Sequence, residues 1–316
     1  MPRKRISITQ SAKSFNYQSI YDEYVKEKSC TASIATIKGY KYRLLPFINY
    51  LLDNDLEVNQ STINDYILIL NDKYDNKVTF NSTLRDIRAF CNWLTTNDYA
   101  PKLKITVKKE YEVTKEVYTE EEIKKLLIKP STNNFTDYRN WCMINFFIGT
   151  GCRINTLINV KISDIDFNND YIIFKVTKNK KQQVIPLCTA LKKAINAYLK
   201  LWVHKDNDYL FPNSYGEKLN NNSVTHAINH YNKERGVTKT SCHLFRHTFA
   251  HNYLMNGGDI FRLQQILGHQ TLDMVKIYAN MNNIDSLKNN FNKLNMLDNI
   301  NINKNKIKIN YNKTSI

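Results

Sequence analysis

From about its midpoint onward the chain carries, in order, Arg153, Lys178, His243, Arg246, His269 and Tyr278. Two guanidiniums, a lysine, two imidazoles and a phenol make up a metal-free kit for attack on a phosphodiester. The arginines neutralise charge that builds on phosphorus, the imidazoles and the ammonium move protons, and the phenol is a nucleophile. Each residue alone also has a plainer reading. His243 could cap a helix, Arg246 could be a surface charge, His269 could follow a helix end at Leu267-Gly268, and Tyr278 could be one more core aromatic among 20 tyrosines. His243 and His247 stand at i and i+4, a zinc spacing, but no third ligand is near in sequence and no Glu follows His243, so no metal is expected. Gly149-Thr150-Gly151 lacks the Gly-Lys-Ser/Thr ending of a phosphate-binding loop, so an ATPase is excluded and no cofactor is expected.

The elements that must position these residues can be read from apolar spacing. Residues 1–15 form a basic arm without a packed face. Over 16–100, Ile37, Tyr40, Leu44, Phe47, Ile48, Leu51 and Leu52, then Ile63, Tyr66, Ile67 and Leu70, then Leu84, Ile87, Phe90, Cys91 and Leu94 recur at three- and four-residue steps, which predicts a small helical bundle. Pro101 opens PKLKITVKKEYEVTKEV, a basic extended linker over 101–117. A capping box, Thr119 with Glu122, marks the start of a second domain over 118–284. There DYRNWCMINFFI reads as a helix ending at the glycines, which allow a tight turn before Arg153. Three strand-like runs follow, around Val160–Phe167, Tyr171–Val176 and Gln183–Leu187, with Lys178 in the second turn and Lys180 and Lys181 as its rivals. The pattern then returns to helix in LKKAINAYLKLW, NSVTHAINHY, LFRHTFAHNYLM, DIFRLQQILG and TLDMVKIYANM. If HLFRHTFAHNYLM is helical from its first turn, His243 and Arg246 share a face. Over 285–316 an apolar stripe of Leu287, Phe291, Leu294 and Leu297, preceded by Ile284, runs into a low-complexity tail.

Composition bounds the partners. The 316 residues hold 45 Lys and Arg against 29 Asp and Glu, a formal net charge of +16. An excess of this size favours a polyanion, because each neutralised phosphate releases condensed counterions. Abundant Asn, Lys, Ile and Tyr also fit biased nucleotide composition in the source genome, which weakens an argument from lysine number alone. No apolar run nears the roughly 20 residues that span a bilayer, and MPRKRISITQ has no apolar segment behind its basic residues. A cytoplasmic protein with no membrane partner is expected. The six cysteines, Cys30, Cys91, Cys142, Cys152, Cys188 and Cys242, include no C-x-x-C pair, which argues against a zinc ribbon or disulfide scaffold and for most of them being small core residues in a reducing compartment.

In combination these motifs resemble the tyrosine recombinases, the phage-integrase and Xer-like family. HLFRHTFA looks like the family's His-x-x-Arg box, Leu267-Gly268-His269 like its Leu-Gly-His turn, and Tyr278, nine residues beyond His269, stands where the family places its nucleophile. GTGCRINTL is similar to the segment around the first arginine. TKNKKQQVIPL resembles the family's β-hairpin, where counting back from Pro186 gives Lys178 as the catalytic lysine. One position departs: three residues after Arg153 the family commonly has a carboxylate, and this chain has Thr156.

The resemblance implies a mainly α fold with a small antiparallel β-sheet, arranged as a two-domain clamp on double-stranded DNA. A helical core-binding domain would be joined to a mixed α/β catalytic domain, with no separate arm-binding domain before them. It implies site-specific strand exchange through a 3′-phosphotyrosyl intermediate, a homotetramer on two DNA sites, and a C-terminal segment that docks in its own domain or in a neighbour. A mobile-element integrase is the main expectation, with a possible accessory DNA-bending or directionality protein. A chromosome-dimer resolvase, a type IB topoisomerase and a non-catalytic DNA-binding protein stand as alternatives.

Overall fold

The computed structural model describes residues 15–107, 116–132, 134–176, 182–269, 271, 272 and 275. The arm, part of the linker, Lys178, Tyr278 and the stripe from Ile284 to Leu297 lie outside the described residues. The chain divides into two compact units, Met1–Val113 and Thr114–Ile316.

The described residues of the first unit form four helices: α1 (Tyr17–Ser29), α2 (Ile34–Asp53), α3 (Gln60–Lys73) and α4 (Lys77–Thr96). Every one begins with a polar side chain accepting a free amide of the first turn: Asn16, Ser33, Asn59 and Asn76. Such a cap contributes about 1 kcal/mol over alanine. Part of the asparagine abundance thus serves helix starts, since Asn134 and Asn220 cap two helices of the second unit as well. Most of the stripe residues expected from sequence face inward, with Leu44, Phe47, Ile48, Phe90 and Leu94 wholly buried beside Tyr24 of α1, but Leu52, expected in the α2 stripe, is 44% exposed. Polar ties set the helices against one another. Arg43 of α2 meets Asp86 of α4 at 2.5 Å, and the Trp93 indole of α4 donates to Glu27 of α1 at 2.6 Å.

The described residues of the second unit are mostly helical with one small sheet. Its elements are α5 (Glu120–Leu127), α6 (Phe135–Thr150), the short α7 (Ile154–Leu157), β1 (Ile165–Asp166), β2 (Tyr171–Phe174), β3 (Gln183–Pro186), α8 (Thr189–Leu199), α9 (Asn221–Glu234), α10 (Cys242–Met255) and α11 (Ile260–Leu267). The capping box is present in both directions: the Glu122 amide donates to Thr119, and the Thr119 amide to the Glu122 carboxylate at 2.7 Å. α6 carries apolar residues on nearly all sides, as a helix must when it is enclosed, and packs against α5, α8, α9 and α10. The strands pair antiparallel in the order β1-β2-β3, with Ile172 opposite Ile185 and Phe174 opposite Gln183.

One strand expectation needs correction. Of the run Val160–Phe167 only Ile165 and Asp166 are strand, and Ile162–Asp164 is a 3₁₀ turn. The cause is Asp164, whose buried carboxylate accepts from the Lys161 amide at 2.9 Å and pairs with Lys175 at 2.5 Å. That side-chain bond closes a turn where a ladder would otherwise continue.

Candidate active site

The site is assembled by the meeting of α6, α10 and α11. α10 is covered on both sides, so Phe245, Arg246, His247 and Thr248 are all buried in succession. On one side Phe245 stacks between Tyr118 at 4.4 Å and Phe147 of α6 at 5.8 Å. On the other, Ala250 and Leu254 pack with Leu263 and Leu267 of α11. Tyr118 fixes the start of the unit to this helix, since its amide donates to Thr248 Oγ1 at 2.9 Å and its hydroxyl accepts from Asn232 at 3.0 Å.

This packing delivers Arg246, only 3% exposed, to the gap between two helix ends. Its Nη1 donates to the Gly151 carbonyl at 2.9 Å and its Nη2 to the Leu267 carbonyl at 2.7 Å. The same Nη2 stands 2.6 Å from His269 Nε2. Both carbonyls belong to glycine-terminated helices. Gly151 ends α6 at φ 60° and Gly268 ends α11 at φ 61°, a left-handed conformation that an L side chain adopts only at a cost. Gly149 is different: it lies within α6, against Leu191, so one glycine of the pair makes the turn and the other makes room.

Arg153 follows two residues after Gly151, so no more than about 7 Å of backbone separates its Cα from the residue whose carbonyl Arg246 holds. It is half-buried and caps α7 in extended conformation, its carbonyl accepting from the amides of Thr156 at 2.9 Å and Leu157 at 3.0 Å. At the position of the expected carboxylate, the buried Thr156 meets Arg153 through its backbone amide rather than through a charge. Burial pushes the neighbouring Cys152 thiol up to about 12, with the Thr150 hydroxyl and the Arg246 charge only partly opposing it.

α10 begins at Cys242, so His243 and Arg246 do lie one turn apart on one helix. His243 is exposed at the first turn while His247 is buried beneath it, their rings edge to face with centroids 4.7 Å apart. Among the described residues no three His, Cys, Asp or Glu side chains gather closely enough to hold a metal ion. Arg246, His269 and the backbone leading into Arg153 are therefore brought together, and His243 sits on the same helix as Arg246. One side chain that sequence spacing did not single out also bears on the site. It is Gln183 of β3, whose amide nitrogen donates to the Gln265 carbonyl at 2.6 Å and to the Ile266 carbonyl. Nothing in the spacing marked Gln183, because its partners are backbone atoms more than 80 residues away.

A family model described as the phage integrase family matches residues 116–284. Over 264 residues the chain is 26% identical to the tyrosine recombinase XerD of Oceanobacillus iheyensis, covering 78% of this chain and 87% of that protein. It is 28% identical over 259 residues to the tyrosine recombinase XerC of Staphylococcus carnosus, with the same two coverages. In fold it is similar to the XerH site-specific recombinase bound to a palindromic difH substrate. That TM-score is 0.67 at 18% identity, covering 90% of this chain and 91% of that one. The Tn1549 transposon integrase in complex with circular intermediate DNA also scores 0.67, at 19% identity, covering 88% and 99%. Among the described residues no helix is long and apolar enough to cross a membrane.

Proposed function

Because the chain belongs to the phage integrase family of tyrosine recombinases, enzymes of site-specific DNA cleavage and rejoining, we propose that Arg153 and Arg246 clamp the scissile phosphate and that Tyr278 attacks it. The observation that carries this reading is Arg246, a buried guanidinium aligned by the Gly151 and Leu267 carbonyls and touching His269. Burying a cation against neutral carbonyls is costly for stability alone, and it is repaid when a phosphate arrives as counter-charge. The guanidinium has five N–H donors, and the two carbonyls fix the plane in which it would meet the non-bridging oxygens.

In the step proposed, the Tyr278 oxygen forms a bond to phosphorus as the bond from phosphorus to the 5′-oxygen breaks. His243, exposed on the first turn of α10, accepts the phenolic proton, and Lys178 supplies a proton to the departing 5′-oxygen. His269 and the two arginines meet the charge on the pentacoordinate transition state. The product is a 3′-phosphotyrosyl link beside a free 5′-hydroxyl, and one phosphodiester is exchanged for another, so neither ATP nor a metal enters the balance. Double-stranded DNA is the substrate, with four copies acting on two sites and the segment around Leu287 to Leu297 docking in its own unit or in a neighbour. The role proposed is integration and excision of a mobile element, working with a DNA-bending or directionality protein. A resolvase role is the second reading, favoured by the likeness to XerC and XerD.

The experiment is to trap the chain on half-site duplexes taken from the flanks of its own gene. A covalent complex on the 3′-phosphate with a free 5′-hydroxyl supports the reading. A 5′-linked complex, or tight binding with no covalent product, would sink it. A plasmid carrying two sites separates recombination from simple relaxation of supercoils.

A further inference from the structure

We propose that Gln183 is a positioning residue, bracing the end of α11 from the β-hairpin so that His269 is held against Arg246. This rests on the reading of His269 as a phosphate donor given above.

Side chains alternate across a strand, and on β3 Ile185 is buried while Val184 and Pro186 are exposed. Gln183 therefore belongs to the inward row with Ile185, opposite Phe174, where another apolar residue would extend the core. It carries an amide instead, and the amide nitrogen is fully used. A primary amide nitrogen has two N–H donors, and these go to the successive carbonyls of Gln265 and Ile266. Two carbonyls facing one atom identify it as the nitrogen, since the oxygen cannot donate.

The last carbonyls of a helix have no partner within it, and at α11 each is met. Gln264 receives the His269 amide at 3.1 Å, and Gln265 receives the Gly268 amide at 3.0 Å together with Gln183. Ile266 receives Gln183, and Leu267 receives Arg246. Among the described residues only Gln183 reaches this end from the sheet. Its Oε1 lies 2.9 Å from where a Cβ on Gly268 would be, so the bare glycine admits both the left-handed turn and the close approach of the amide. His269 comes next and meets Arg246 Nη2 at 2.6 Å. Gln183 thus grips the turn immediately before the imidazole, while Arg246 grips it from the other side. Without that brace the turn is free to shift against the hairpin, and a displacement of about 1 Å at reacting groups costs up to about 10²-fold in rate.

The test is a two-residue cycle. Gln183→Leu is made in the wild-type chain and in His269→Ala, and the single-turnover rate of covalent adduct formation on a half-site duplex is measured beside the duplex Kd. If Gln183 acts through His269, the rate falls by roughly tenfold or more in the wild-type background and by less than about twofold in His269→Ala, with Kd unchanged. An equal fall in both backgrounds marks a merely structural role, and an unchanged rate in the first marks no role; either overturns the proposal. Should Gln183→Leu lose its cooperative melt, Gln183→Met replaces it in the same cycle. A wild-type chain that forms no adduct would remove the functional reading and this inference together, whereas adducts with multiplicative effects remove this inference alone.

Discussion

Replacing Arg246 by lysine keeps the charge and removes the fork. The guanidinium uses Nη1 on the Gly151 carbonyl at 2.9 Å and Nη2 on the Leu267 carbonyl at 2.7 Å. One ammonium nitrogen cannot occupy both places, so at least one carbonyl loses its side-chain donor. Leaving a buried acceptor unpaired costs about 1–3 kcal/mol, and Arg246→Met, which deserts both, costs more unless relief of the buried charge offsets it. Because the two units can unfold separately, a single melting curve is the wrong instrument. Hydrogen exchange read peptide by peptide reports α6, α10 and α11 by themselves. In Arg246→Lys the slowest amides of these helices should exchange about 5- to 150-fold faster, the equivalent of 1–3 kcal/mol, with those of α1 to α4 unchanged. Covalent adduct formation should fall by at least about 10²-fold, the effect of losing one aligned donor to a transition-state oxyanion, because an ammonium cannot reproduce the planar two-donor geometry. Unchanged exchange in α10 and α11 together with wild-type adduct yield would refute the reasoning.

Three further outcomes are expected. Gly151→Ala places a methyl group 2.5 Å from Phe249 Cδ1 at φ 60°, so it should destabilise the second unit by at least about 1–2 kcal/mol from the left-handed backbone alone, read as faster exchange in α6 and α10. Asp166 is held at about 2 by the Asn169 side chain and amide. A depressed carboxyl stabilises above its unfolded value near pH 4 and loses that contribution as the pH falls through about 2. The gap in protection of the slowest-exchanging amides of the second unit between wild type and Asp166→Asn should therefore grow from about pH 2 to about pH 5, and a constant gap would count against the assignment. Iodoacetamide should label Cys30 and Cys188, which are exposed, and spare the buried Cys91, Cys142, Cys152 and Cys242. Burial pushes Cys91 and Cys152 up to about 12 and Cys242 up to about 11, and labelling of Cys152 in the folded chain would show that its surroundings are open.

Much of this architecture is legible in the sequence because it is local. The Thr119 and Glu122 capping box, the glycine after α6 and the stripes of α2 and α4 each involve residues within a few turns of one another, and spacing alone reveals them. The 3₁₀ turn at Ile162–Asp164 was less visible, since Val160, Ile162, Ile165 and Phe167 still read as a strand-like run; its one clue is Asp164, where an alternating strand would carry an apolar residue. The contacts that shape the candidate site were not legible. Arg246 and Gln183 are held by backbone carbonyls of Gly151, Gln265, Ile266 and Leu267, and a carbonyl carries no signature of residue type. The order of Arg153, His243, Arg246 and His269 therefore marks candidates, while the way Arg246 and His269 are aimed depends on helix ends that only the fold brings together.

The most direct test of the central claim is to digest the trapped protein–DNA complex and sequence the peptide that retains the nucleotide. The account expects the mass of a 3′-phosphorylated nucleotide on the phenol of Tyr278, and its loss in Tyr278→Phe with duplex binding retained. A nucleotide on any other side chain, or an undiminished adduct in Tyr278→Phe, would contradict it.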